Sequence, residues 1–140
     1  MLKQLLFGGE SGLSPLANAG LTLLRIFTGV ALAFGHGLGK IPPAAGFIDR
    51  TEQMGFPFPS LFAWSAAFAE FLGGIFLALG LFTRISSFFI ICTMLTALLG
   101  VHLRDPFNKQ ELALLYFFIA LAFLLKGAND WSFDAFLRRR

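Results

Sequence analysis

Cysteine occurs once in this chain of 140 residues, as Cys92. That excludes an intrachain disulfide, a C-x-x-C redox pair and a thiolate zinc cluster, so any redox role must borrow a cofactor or act on a quinone. Charge is scarce too: 14% of the residues are Asp, Glu, Lys or Arg, where soluble domains carry about 25%. A single tyrosine stands against nineteen phenylalanines, so the aromatic side chains bring almost no hydroxyls to satisfy. No internal repeat is present, which leaves an inverted-repeat transporter without support. The net charge of +3 would suit nucleic acid only if it were clustered, yet three of the eleven cations are the terminal Arg138, Arg139 and Arg140 and the rest are scattered. This is charge suited to anionic lipid head groups rather than to a nucleic-acid groove, and nucleic acid is not expected as a partner.

What the chain does have is apolar length. Hydrophobic residues make up 56% of it and the mean hydropathy is +0.74. The surplus has to face something other than water, and a lipid bilayer is the simplest partner. Spans are expected at about residues 16–38, 58–82, 85–103 and 111–126, since about 20 helical residues cross a hydrocarbon core. Pro15 suits a helix start, and Pro42-Pro43 stops the first span. Between the first two spans, Phe47, Ile48, Thr51 and Met54 recur at helical spacing among charged residues, which predicts a short amphipathic helix lying in the interface. Residues 1–7 read as an interfacial segment too short for a signal peptide, so the first span is expected to remain as an uncleaved anchor. Short turns after the second and third spans imply antiparallel neighbours. The expected fold is therefore all-α: a single transmembrane domain, an up-down-up-down four-helix bundle. With both termini in the cytoplasm, that side holds Lys3, Arg84, Lys126 and the terminal arginines, and the opposite side Lys40, Arg50, Arg104 and Lys109. The bias favours this orientation.

Two charges sit where they are most expensive. Arg25 lies near the middle of the first apolar run and Glu70 near the middle of the second. A charge at bilayer mid-depth costs roughly 2.5–3.5 kcal/mol on insertion scales and is tolerated when it faces protein or water. Pairing Arg25 with Glu70 would neutralise both. Ala66, Glu70 and Gly74 share a helix face, and small residues there allow close helix approach. Eleven residues separate Arg25 from His36, about three turns, so Arg25, Gly29, His36 and Lys40 form one stripe. The ends of the first and third spans and the start of the fourth then gather His36, Lys40, His102, Arg104 and Glu111 on one side.

Each of these residues also has a bland reading. Arg25 and Glu70 would serve equally as a structural pin of helix register. His36 could bond a freed backbone carbonyl, His102 could be an interfacial residue, and Glu111 could complement the positive end of its helix. Cys92 reads as a small hydrophobe. His36 and His102 lie on different helices without H-x-x-x-H or E-x-x-H spacing, so neither a metal nor a haem is expected.

The chain resembles the DoxX family. The residues that carry the likeness are Leu24-Arg25-Ile26, His36-Gly37-Leu38-Gly39-Lys40, Ala69-Glu70-Phe71-Leu72-Gly73-Gly74 and Leu79-Gly80-Leu81-Phe82-Thr83-Arg84, followed by Glu111, Leu115-Tyr116 and a closing segment from Gly127 to Asp134. In that segment Asn129-Asp130-Trp131 departs from the family's usual turn, and no role is carried over to it. The resemblance implies a small four-helix protein of the cytoplasmic (inner) membrane of a bacterium or archaeon, linked to quinone-dependent oxidoreductase systems. It places the family's polar core at Arg25, His36, Lys40, Glu70, Arg84 and Glu111. The leading expectation is an accessory subunit whose cavity receives a quinone or a similar lipophilic carbonyl compound, alongside other membrane redox subunits and with a homo-oligomer left open. Arg25, His36 and Glu70 are the candidate catalytic residues, and Lys40, His102 and Glu111 the candidate binding residues. The alternative is a non-catalytic scaffold for partner membrane proteins, with a small-solute transporter ranked below it.

Overall fold

The computed structural model of the chain describes residues 7–9 and 11–139. Most of the expected N-terminal interfacial segment, and Arg140, lie outside the described residues. Helix α1, Pro15–Leu32, starts where the Ser14 hydroxyl accepts a hydrogen bond from Ala17 N and Pro15 fills a position whose N–H would have no partner. It runs on through a π-helical turn, Ala33–Gly37, and a 3₁₀ turn, Leu38–Lys40, so the continuous rod is Pro15–Lys40. Helix α2, Ala45–Gln53, precedes α3, Pro59–Leu79. Helix α4, Thr83–Thr96, ends in a second π-helical turn, Ala97–Val101. Helix α5 is Phe107–Lys126, and α6, Phe133–Arg139, closes the chain.

Four of these rods are long and apolar enough to cross a membrane: Pro15–Lys40, Pro59–Leu79, Thr83–Val101 and Phe107–Lys126. The last begins at Phe107 rather than near Glu111. Pro106 ends the preceding turn, and Gln110 in the first turn donates to the His102 and Asp105 carbonyls. A polar first turn thus supplies the length that its apolar run lacks.

Helices α1 and α3 are antiparallel and meet along glycine. A Cβ on Gly29 would collide with the Gly74 carbonyl oxygen and stand 2.6 Å from Ala78 N; one on Gly37 would collide with Phe71 N. Backbones this close leave no room for side chains, the small-residue packing expected between helices in lipid. Beside that seam Leu32, Leu77, Ile90, Met94, Tyr116, Ala120 and Phe123 form the apolar core. Phe27, Phe88, Phe118 and Leu125 are exposed. In lipid that outward surface carries no penalty.

Candidate functional site

The seam fixes the register, and the register separates the two intramembrane charges. Arg25 lies opposite Leu77 and Ala78, while Gly37 lies opposite Glu70 and Phe71. Glu70 is therefore about eight residues, roughly 12 Å, from the level of Arg25 along α3. The expected Arg25–Glu70 pair does not form. The two charges lie at different levels because α1 runs on beyond the end of α3, and residues 127–134 fold back over that overhang.

At that end Arg25, 1% exposed, donates from Nη1 to the Leu77 and Ala78 carbonyls at 3.1 and 3.0 Å and from Nη2 to the Trp131 carbonyl at 2.8 Å. Leu77 and Ala78 belong to the last turn of α3, whose carbonyls lack partners within the helix. Gly80, at φ +66°, ends α3 in the left-handed region and leaves the guanidinium its space; a Cβ there would strike Arg25 Nη1. Asp134 does the complementary job. Its carboxylate accepts from Phe82 N at 2.8 Å and Thr83 N at 2.9 Å, at the start of α4, while its own N–H donates to the Gly80 carbonyl. A cation thus closes one helix C-terminus and an anion the next helix N-terminus, each matched to the local dipole. The same anion holds Phe82 at φ 48°, a backbone state that costs a non-glycine residue of order 1–3 kcal/mol.

A polar clasp ties the tail to α1. Asn129, fully buried, donates to the Asn18 carbonyl and side chain and, at 2.7 Å, to Thr22 Oγ1. Asp130 accepts from Asn18 Nδ2 at 3.0 Å and from Gly12 N at 3.2 Å. The hydrogen bond from Asn18 holds the Asp130 carboxyl below the usual carboxylate range, with smaller help from the backbone and Arg139. Sequence reasoning missed Asp134, Asn129 and Asn18. The one signal was the presence of Asn129-Asp130 so soon after a long apolar run.

The other end is built differently. Glu70, 4% exposed at its side chain, pairs with Lys40 Nζ, which reaches its two oxygens at 2.7 and 2.6 Å. Lys40 is 37% exposed and also lies over the Phe47 ring, 5.7 Å from its centre. The pair borders a cavity of about 550 Å³ between α3 and α4, within the range typical of small-molecule sites. Phe62, Phe88 and Phe89 give it apolar walls, and Arg50, Thr93, Thr96 and His102 supply further polar groups. Phe47 and Thr51 of α2 and Met54 just after it, the stripe expected to rest in the membrane interface, line this cavity. Both π-helical turns lie at this end, one just before Lys40 and the other just before His102; such turns are frequent at functional sites.

The remaining candidates divide. His102 reaches the cavity, and its Nδ1 is 2.7 Å from Asp105 Oδ2; that bond holds the Asp105 carboxyl below its ordinary value. His36 packs edge-on against Tyr116, ring centres 5.7 Å apart, and is not among the residues lining the cavity. Glu111 is exposed on α5, outside that lining. Arg84 donates to the Leu125 carbonyl at the far end. Cys92 lines the cavity. Among the described residues no group of His, Cys, Asp and Glu is placed to hold a metal ion.

Comparison with known proteins agrees with the architecture. No solved structure matches the chain. A Bacillus subtilis (strain 168) protein named "Putative oxidoreductase CatD" is 32% identical over 119 residues, covering 84% of this chain and 87% of its own length. The DoxX family model matches residues 20–103, a stretch that includes Arg25, Lys40, Glu70 and His102. With four apolar rods and this match, the chain is a multi-pass membrane protein and belongs to the DoxX family.

Proposed function

We propose that the protein is the membrane-embedded accessory component of an oxidoreductase system of the cytoplasmic membrane, and that its cavity binds a quinone or a similar lipophilic carbonyl compound. The observation that carries this reading is the Lys40–Glu70 pair at the edge of a largely apolar cavity. An ammonium has three N–H donors. Two are spent on Glu70, so one remains for a carbonyl oxygen entering beside it. In a site of low dielectric such a bond polarises the carbonyl strongly. Glu70 is the group placed to exchange a proton with the oxygen that Lys40 holds. Reduction to the quinol takes up electrons and protons in equal number. The electrons come from the partner redox subunit, the protons through Glu70. His102 and Arg50 sit at the same cavity and would orient the head group. The name of the B. subtilis relative is consistent with a redox role. Both termini are assigned to the cytoplasmic side on the balance of loop cations.

The test is quinone titration of the purified protein in nanodiscs. Wild type should bind a short-chain benzoquinone saturably, and Glu70→Gln and Lys40→Met should each weaken binding at least tenfold while helix content is retained. Equal affinity in all three proteins overturns the proposal. The scaffold reading gains ground if the exchange Lys40→Glu with Glu70→Lys keeps partner assembly intact in the host membrane.

A further inference from the structure

The cavity does not end at its apolar walls. Ser65, Ala69 and Phe89 line it and also line a second space of about 480 Å³ between α3 and α4. This second space is a groove walled by Phe68, Leu72, Phe76, Phe82 and Ile85. It follows α3 from Ser65 to Phe76, about 16 Å at the rise of an α-helix. Its floor is cut by Ser65, Ala69 and Gly73, at i, i+4 and i+8 on α3. Small residues on one face keep the crevice between the two helices open.

The joined space is graded. Lys40, Arg50, Glu70 and His102 all belong to the cavity, and among the described residues no charged side chain lines the groove. The groove leads away from the Lys40 end towards the turn that holds Phe82, and so runs along the bundle. An occupant that fits both parts has a compact polar head and a flexible apolar tail, and the head lies at one end of the helices while the tail follows them.

From this continuity we infer that the cavity and groove form one amphiphile site, with the head of a long-chain quinone or related carbonyl lipid against Lys40 and Glu70 and its tail laid between α3 and α4. The inference rests on the head-group reading above and adds the class of substrate: tailed rather than freely soluble compounds. It also assigns specificity to residues outside the polar cluster. Leu72 on α3 and Ile85 on α4 both wall the groove and are partly exposed, at 40% and 37%. Larger side chains there can fill the groove without entering the core.

The experiment compares the same benzoquinone head with and without a decyl chain, in nanodiscs of one lipid composition, against wild type, Leu72→Trp and Ile85→Trp. Partition of the tailed compound into lipid is common to all three, so the quantity read is the ratio of the two affinities. Filling the groove should lower that ratio at least tenfold and leave the affinity for the tailless head unchanged. A ratio unaltered in both variants overturns the tail assignment, while Glu70-dependent binding of the tailless head would still stand. Equal affinity of wild type and Glu70→Gln for the tailless head overturns the head-group reading instead. A photoactivatable phospholipid separates the remaining source of an apolar chain. Labelling of the groove that the decyl compound displaces supports the inference, and labelling it cannot displace assigns the groove to bulk lipid.

Discussion

Arg25 and Lys40 are both cations on the same helix, and the structure treats them in opposite ways. Arg25 is enclosed: its bonds go to backbone carbonyls at a helix end, with Gly80 shaped around it and Asp134 nearby. Lys40 is partly open, holds one carboxylate and borders a cavity. The clasp end spends its polar groups on the backbone and on one another. The cavity end keeps donors and acceptors turned towards space that a ligand can enter. Depth in the membrane is thus a poor guide to how a charge is held.

The sharpest way to break the contrast is to remove the enclosed cation. Arg25→Met takes away the guanidinium bonds to the Ala78 and Trp131 carbonyls and one of the two bonds to the Leu77 carbonyl, which keeps Gly80 N, and hydrogen bonds to charged groups contribute about 1.5–3 kcal/mol each. Thermal unfolding followed by circular dichroism in detergent should show a loss of about 3 kcal/mol or more, while the folded fraction keeps its quinone affinity. Glu70→Gln should do the reverse. With Lys40 37% exposed, the loss of stability stays within about 1 kcal/mol, while binding falls. If Glu70→Gln destabilises as much as Arg25→Met, the cavity pair is a structural pin and the contrast collapses.

The smallest effect concerns Asp130, and its sign follows from its lowered pKa. A carboxyl that ionises more readily when folded adds stability above the unfolded value of about 3.9, and that stability is lost as pH falls through the lower folded value. The clasp should therefore loosen below about pH 4. Hydrogen exchange at residues 129–132 should accelerate there in wild type, and Asn18→Ala should reduce that dependence. No change at the cavity end is expected from this titration.

Several parts of the fold were legible because they depend on local composition. The Pro15 start and the helix after Ala44 each follow from residues within a turn or two of the feature, whereas the second span ends at Leu79 before the left-handed Gly80 rather than at residue 82. The first turn of α5 was not legible, since Gln110 bonds carbonyls of the preceding loop and its polarity looked like a connection. Of the six candidate residues the cavity gathers three, and Arg25, His36 and Glu111 lie outside its lining. Lys40, Glu70 and His102 were recognised from their residue types, and the structure brings them to one cavity. Asp134 could not be found this way, because it caps a helix start about fifty residues earlier in the chain.

The sequence by itself determined that this is a membrane protein of four apolar helices carrying a few costly charges. Hydrophobic transfer and the penalty for a charge in lipid belong to each segment wherever its neighbours lie. Which charge meets which was decided by the tertiary structure alone. Pairing depends on how far one rod slides past another, and that offset was set by glycine contacts between α1 and α3 and by the tail folding over the exposed start of α1.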